Sequence, residues 1–262
     1  MAVLGIITCE ILELEFAQLL TDDSDVGCIN VLQDSHSARL IELLKARGLS
    51  NLRCLPHPHA FTSEPGESLE LLIRVLALGL HRNRRVLRHA LNRSAQALAP
   101  HIDALLLGYG QCGGAVDDAR SLLDLDIPLF QPMDGDRPMD DCVALCLGGR
   151  ERYYDEQRKI AGTYFLTPGW SNHWRQMMDS HSGEVSQPGL KRLLADYERG
   201  LLLQSPALPN DELQQHGNEF SRMTGLRLET ECGTMKPLTM AWDAAKTAVR
   251  SMSAEPASGG MG

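Results

Sequence analysis

The chain has 262 residues, with 25 Lys and Arg against 34 Asp and Glu, for a formal net charge of −9 at pH 7. That balance speaks against broad electrostatic binding to nucleic acid. Hydrophobic residues at 43% and charged residues at 23% are ordinary for a soluble globular chain, long enough for a substantial core and for a split into two lobes.

Seven cysteines, Cys9, Cys28, Cys54, Cys112, Cys142, Cys146 and Cys232, are spread along the sequence. An odd number in a long chain is unlike a secreted disulfide scaffold, which leaves metal binding, catalysis or plain burial. The opening Met-Ala-Val-Leu-Gly-Ile-Ile has no basic leader region. The most apolar window, 69–80, contains Glu70 and Arg74 and is too short to span a bilayer. The expectation is a cytoplasmic protein without membrane contact.

In chain order, residues 3–7 read as a strand with Cys9 just past its end, and 10–20 as a helix. Residues 26–32 form a second strand, and 37–47 a helix closed by Gly48. Residues 53–59 are a strand end broken by two prolines, where Cys54, His57 and His59 have the spacing of part of a metal site. A metal needs several convergent ligands, so these histidines also read as merely solvated. Glu64-Pro-Gly66 is expected to open a helical region over 67–99, interrupted near Gly79-Leu-His81. Its second half carries five arginines, most simply a solvated face.

Residues 103–107 are a short apolar run, the pattern of a buried central strand, and lead into Gly108-Tyr-Gly-Gln-Cys-Gly-Gly114. Such a glycine-rich turn suits the ligand-binding edge of an open α/β sheet, and equally a tight turn around a small buried cysteine. Read as G-x-G-x-x-G it fits a dinucleotide loop only formally, because no acidic residue closes a clear next strand.

A helix over 116–125 and a strand over 127–131 follow. A helix over 139–147 then has Cys142 in its first turn, where exposed N–H groups favour thiolate. Residues 151–159 are a charged helix, 162–166 a strand and Thr167-Pro-Gly-Trp170 a turn. Helices are expected over 190–202 and 211–224, a strand over 225–231, and a disordered tail over 253–262. Strand–helix alternation implies an α/β fold, Rossmann-like, with a mostly parallel sheet and helices on both faces. It is read either as one unit over 1–252 or as two lobes, about 1–148 and 149–252.

Cys9 and Cys112 each follow a strand, and Cys142 opens a helix after another, so one parallel sheet would deliver all three to a single edge. Three thiolates there would suit zinc or an iron–sulfur cluster with one iron left open. His81 is the candidate fourth ligand or neighbouring acid/base. A helix-breaking histidine bonded to the backbone is its plainer reading.

Gly79-Leu-His81, the Tyr109-Gly-Gln-Cys-Gly113 turn, Asp141-Cys142 and Thr167-Pro-Gly-Trp170 recur in an order that resembles domain of unknown function 1638. Cys9 matches that family's habit of a cysteine after the first strand. The histidine of its histidine-aspartate-cysteine motif is Asp140 in this chain, which cannot serve as a nitrogen ligand. The resemblance implies a metal-associated protein near corrinoid-linked one-carbon metabolism, acting on a small molecule or with a cofactor-bearing protein. Tyr109, Gly110, Gly113, Asp141, Thr167 and Trp170 are the ligand-binding candidates. The alternative is a non-catalytic small-ligand or chaperone-like module with structural cysteines. Nucleophilic catalysis by Cys112 or Cys142 has no adjacent His/Asp pattern behind it. Cys146 and Cys232 match no motif.

Overall fold

The computed structural model describes residues 2–63, 68–182 and 187–254. Its main sheet is built from β1 (Ala2–Cys9), β2 (Val26–Leu32), β3 (Leu52–Leu55), β4 (Leu69–Leu76), β5 (Ala104–Gly108) and β6 (Leu129–Phe130). These six strands are all parallel, in the order β3-β2-β4-β1-β5-β6. A small antiparallel hairpin, β7 (Met133–Asp134) and β8 (Arg137–Pro138), follows. A second parallel sheet of three strands holds β9 (Thr163–Leu166), β10 (Arg199–Gln204) and β11 (Arg227–Cys232) in the order β11-β10-β9.

Among the described residues the helices are α1 (Glu13–Asp22), α2 (Ala38–Ala46), α3 (Arg84–Leu98), α4 (Ala119–Leu123) and α5 (Cys142–Leu147). They continue with α6 (Arg150–Lys159), α7 (Pro168–Ser182), α8 (Gln187–Leu193), α9 (Asn210–Thr224) and α10 (Lys236–Ala254). The chain is thus α/β with a Rossmann-like main sheet.

Every residue of β1 and β5 is buried, which is what helices on both faces of a parallel sheet require. Helices α1 and α2 pack together, as do α3 and α4, while α10 lies on β1 and β5. Right-handed crossovers explain the pairing. From β1 the chain moves one way to β2 and β3, and from β4 the other way to β5 and β6, so the α1–α2 pair and the α3–α4 pair cover opposite faces. The direction of winding changes around β1 and β4. A crevice opens at such a point outside the carboxyl ends of the strands.

Several expectations are corrected. The run 69–76, read as helix, is strand β4, paired with β1 and β2. LELLIRVL carries apolar residues on both faces, with β-branched Ile73 and Val75, and a strand buried at every position but Arg74 hides both. The helix read over 190–202 ends at Leu193, and 199–204 is β10. Arg199 is nevertheless buried, because its guanidinium reaches Glu156 at 2.8 Å and pairs with Glu229. Helix α10 carried no sequence expectation. It buries Trp242, whose indole donates to Asp23 at 2.7 Å, and Lys246 pairs with the same carboxylate. The opening at 64–66 and the tail from 255 lie outside the described residues.

Thr167-Pro-Gly-Trp170 is also not a free turn but the start of α7. The Thr167 hydroxyl accepts from the Trp170 N–H at 3.1 Å as an N-cap, and Pro168 takes the first helical position. Gly169 is there for contact: a Cβ would stand 1.8 Å from the Ile11 carbonyl oxygen. Gly169→Ala is therefore expected to lower stability by about 2 kcal/mol or more, as overpacking against fixed backbone does. Urea unfolding of the variant checks this, and an unchanged midpoint would contradict the close approach.

Candidate functional site

Three carboxyl-end segments of the main sheet meet at the crevice. Cys9 is the last residue of β1, Ala77 and Leu78 follow β4, and Gly108 to Gly113 leave β5. The start of α5, the strand β9 and the first turn of α7 close the other side. Together they bound a cavity of about 350 Å³. Cys9, Cys112, Cys142 and His81 all line it, as do Tyr109, Gly110, Gly113, Asp141, Thr167 and Trp170.

The cysteine turn is shaped by its approach to the segment before α5. Gln111 N–H donates to the Met139 carbonyl at 2.7 Å, and Cys112 N–H to the Asp140 carbonyl at 2.8 Å. A Cβ at Gly110 would lie 2.7 Å from the Met139 oxygen and 2.9 Å from the Asp141 nitrogen, so only glycine lets the two backbones meet. Cys112 itself has φ of 48°, a left-handed conformation that a non-glycine residue adopts at a cost. Asp141 caps α5, its carboxylate accepting from Ala144 N–H at 2.8 Å. Asp140, standing at the family's histidine position, turns to Arg150 with contacts of 2.5 and 3.0 Å.

Electrostatics overturns one expectation. Helix α5 was to favour thiolate at Cys142, yet burial pushes that thiol well above its ordinary value, with Asp141 and the neighbouring thiols adding to the rise. One short helix of six residues does not offset that desolvation. Burial likewise raises Cys9 to about 11, and Cys112 to about 12 with Cys9 and Asp141 contributing. All three are neutral thiols near pH 7. The Tyr109 hydroxyl is buried beside the Cys9 thiol and close to that of Cys112.

Behind the cavity lining lies a feature that was not anticipated: Glu10, Glu13 and Glu15 are all buried. Glu10 accepts from the Leu78 N–H at 2.5 Å and meets His36 at 3.0 Å. Glu13 meets His173 at 2.8 Å, and although burial opposes it, that carboxylate raises the His173 pKa. Glu15 accepts from the Cys146 thiol, at 3.7 Å. Glu13 and Glu15 each keep one buried carboxyl oxygen without a partner among the described residues. A signal existed in the sequence. Ile11, Leu12, Leu14, Phe16 and Ala17 fill the positions between these acids and leave no polar face for solvent.

The remaining candidates lie elsewhere. His57, His59 and His101 pack ring against ring near Phe61, while Cys232 is exposed at the end of β11. Among the described residues, no three His, Cys, Asp or Glu side chains are arranged to hold a metal ion. Trp170 is both cavity wall and core, its indole donating to the Tyr164 hydroxyl at 3.2 Å, and Trp174 is core.

The family model for "Protein of unknown function (DUF1638)" matches residues 75–242. The chain belongs to this family. The DUF1638 match covers the Cys112 turn, α5, β9 and α7, whereas β1 with Cys9 lies before it. No curated protein matches the chain. Among the described residues of this DUF1638 protein, no helix is long and apolar enough to cross a membrane.

Burial raises Glu15 from 4.5 to about 7, which fixes a pH dependence. The folded state keeps this proton between pH 4.5 and 7 while the unfolded chain has lost it, so stability falls as pH rises through that window. The loss amounts to about 3 kcal/mol and is complete above the folded pKa. Glu15→Gln is expected to raise the Tm relative to wild type at pH 8 and to lose that advantage near pH 4.5. A difference independent of pH would show that Glu15 is not the titrating group.

Proposed function

We propose that the protein binds a small molecule in the cavity at the carboxyl edge of its main sheet, where the thiols of Cys9, Cys112 and Cys142 meet it. The observation that carries this reading is convergence. Three thiols supplied by β1, the turn after β5 and the start of α5 line one cavity of about 350 Å³. Its position where the winding reverses supports the same reading, since open α/β sheets hold ligands there. The size is within the range that buries most of a small ligand. As neutral groups the thiols offer soft contact and weak hydrogen bonds rather than nucleophilic attack.

A second reading is zinc or an iron–sulfur cluster on the same three cysteines, with His81 as fourth ligand. One observation favours it: no Lys or Arg lines the cavity among the described residues. A bound cation is then the group that would offset three thiolates. This reading requires the thiols to draw together and deprotonate on binding.

Two measurements separate the readings. A screen of neutral fragments by ligand-observed NMR is expected to give hits on the wild type that Val143→Trp abolishes, because Val143 lines the cavity. Hits that persist in this filled variant would contradict the cavity reading. Anaerobic metal and sulfide analysis tests the other. Stoichiometric metal that is lost in Cys112→Ser and kept in Cys28→Ser would establish the metal reading, and equal content in both variants would remove it.

A further inference from the structure

The walls of the cavity carry a bias that its thiols do not explain. Four of the chain's five tyrosines, Tyr109, Tyr153, Tyr164 and Tyr197, line it together with Phe165 and Trp170. Aromatic residues make up only 5% of the sequence, and all of these except Tyr109, which stands by the cysteines, come from the wall built by α6, β9, the first turn of α7 and the segment before β10. The rings stand as corners rather than a flat stack. Tyr164 meets Trp170 at 5.3 Å and 71°, and Tyr197 at 5.0 Å and 77°. Tyr153 and Phe165 are stacked at 4.9 Å beside them.

Among the described residues, Asp141 is the one acidic side chain that lines the cavity, and no Lys or Arg lines it. Glu10, Glu13 and Glu15 lie buried behind the lining, close enough for Glu10 and Glu13 to act on the Cys9 thiol and Glu15 on that of Cys142. His81 is the only lining side chain among the described residues that can carry a positive charge. An anion brought here would lose its water and meet acids.

We infer that the cavity takes a small organic cation, an alkylated ammonium group seated against the tyrosine and tryptophan faces with its charge toward Asp141. The inference rests on the small-ligand reading above and names its substrate class. An alkylated ammonium offers an apolar surface to the rings and a diffuse charge to their negative faces. It asks for no hydrogen bond from the thiols, which suits their neutral state.

Calorimetric titration of the full chain with three probes of nearly one shape tests this. They are choline, its neutral isostere 3,3-dimethylbutan-1-ol, and 3,3-dimethylbutanoate. Choline is expected to bind about tenfold more tightly than the alcohol, the scale of a desolvated cation–π contact with a nearby carboxylate. The carboxylate should bind weakest. Asp141→Asn keeps a residue that caps α5 well. It should weaken choline several-fold and leave the alcohol unchanged. Alcohol binding as tight as choline, or tighter carboxylate binding, overturns the cation inference while leaving the cavity reading intact. If none of the three binds, the inference also falls, and the neutral-fragment screen with Val143→Trp decides separately whether the cavity binds at all.

Discussion

Parallel strands all end on the same side, and the winding of this sheet reverses around β1 and β4. Every feature of the site depends on that constraint. It places the carboxyl end of β1, with Cys9, beside those of β4 and β5, and it leaves no crossover helix over the gap between them. The β5 turn then needs Gly110 to lie against the backbone ahead of α5, which carries Cys112 and Cys142 to the same opening. The second sheet completes the enclosure through β9 and α7, whose first turn can dock on the Ile11 carbonyl only because position 169 has no side chain.

The energetic character of the site follows from burial more than from pairwise charge. Thiols, tyrosines and carboxyls that would ionise more readily in water are held toward their neutral forms, and the exposed end of α5 does not reverse this at Cys142. Keeping such groups dry is a local cost that the surrounding apolar strands offset. Glu10 and Glu13 are satisfied in part by His36, His173 and the Leu78 N–H, whereas Glu15 meets the Cys146 thiol and keeps one oxygen without a partner among the described residues. Structural acids are seldom left so poorly partnered, and perturbed groups gathered at a cleft are the usual mark of a working site.

Much of this was legible in the sequence. Strand–helix alternation gave the fold class, and the placement of Cys9, Cys112 and Cys142 after strands or at a helix start foretold a shared edge. Elements set by long-range pairing were harder to read. The 69–76 segment has enough Leu for a helix, and only its place between β1 and β2 makes it a strand. The same is true of 199–204, where Arg199 hides its charge against Glu156 from a different part of the chain. The aromatic wall was invisible because Tyr153, Tyr164 and Tyr197 come from α6, β9 and the segment before β10, with no common spacing. The helix over 10–20 was legible, but the burial of its acids was not, although the apolar residues around them leave little of that helix exposed.

The central claim is that three thiols distant in sequence open on one cavity. Site-resolved alkylation by a small neutral reagent, read by mass spectrometry on wild type and Val143→Trp, addresses it most directly. The account predicts that Cys9, Cys112 and Cys142 react more slowly than exposed Cys232, and that filling the cavity slows all three together while Cys232 is unaffected. Slowing confined to one of the three, or rates at Cys9 and Cys142 equal to that of Cys232, would contradict it.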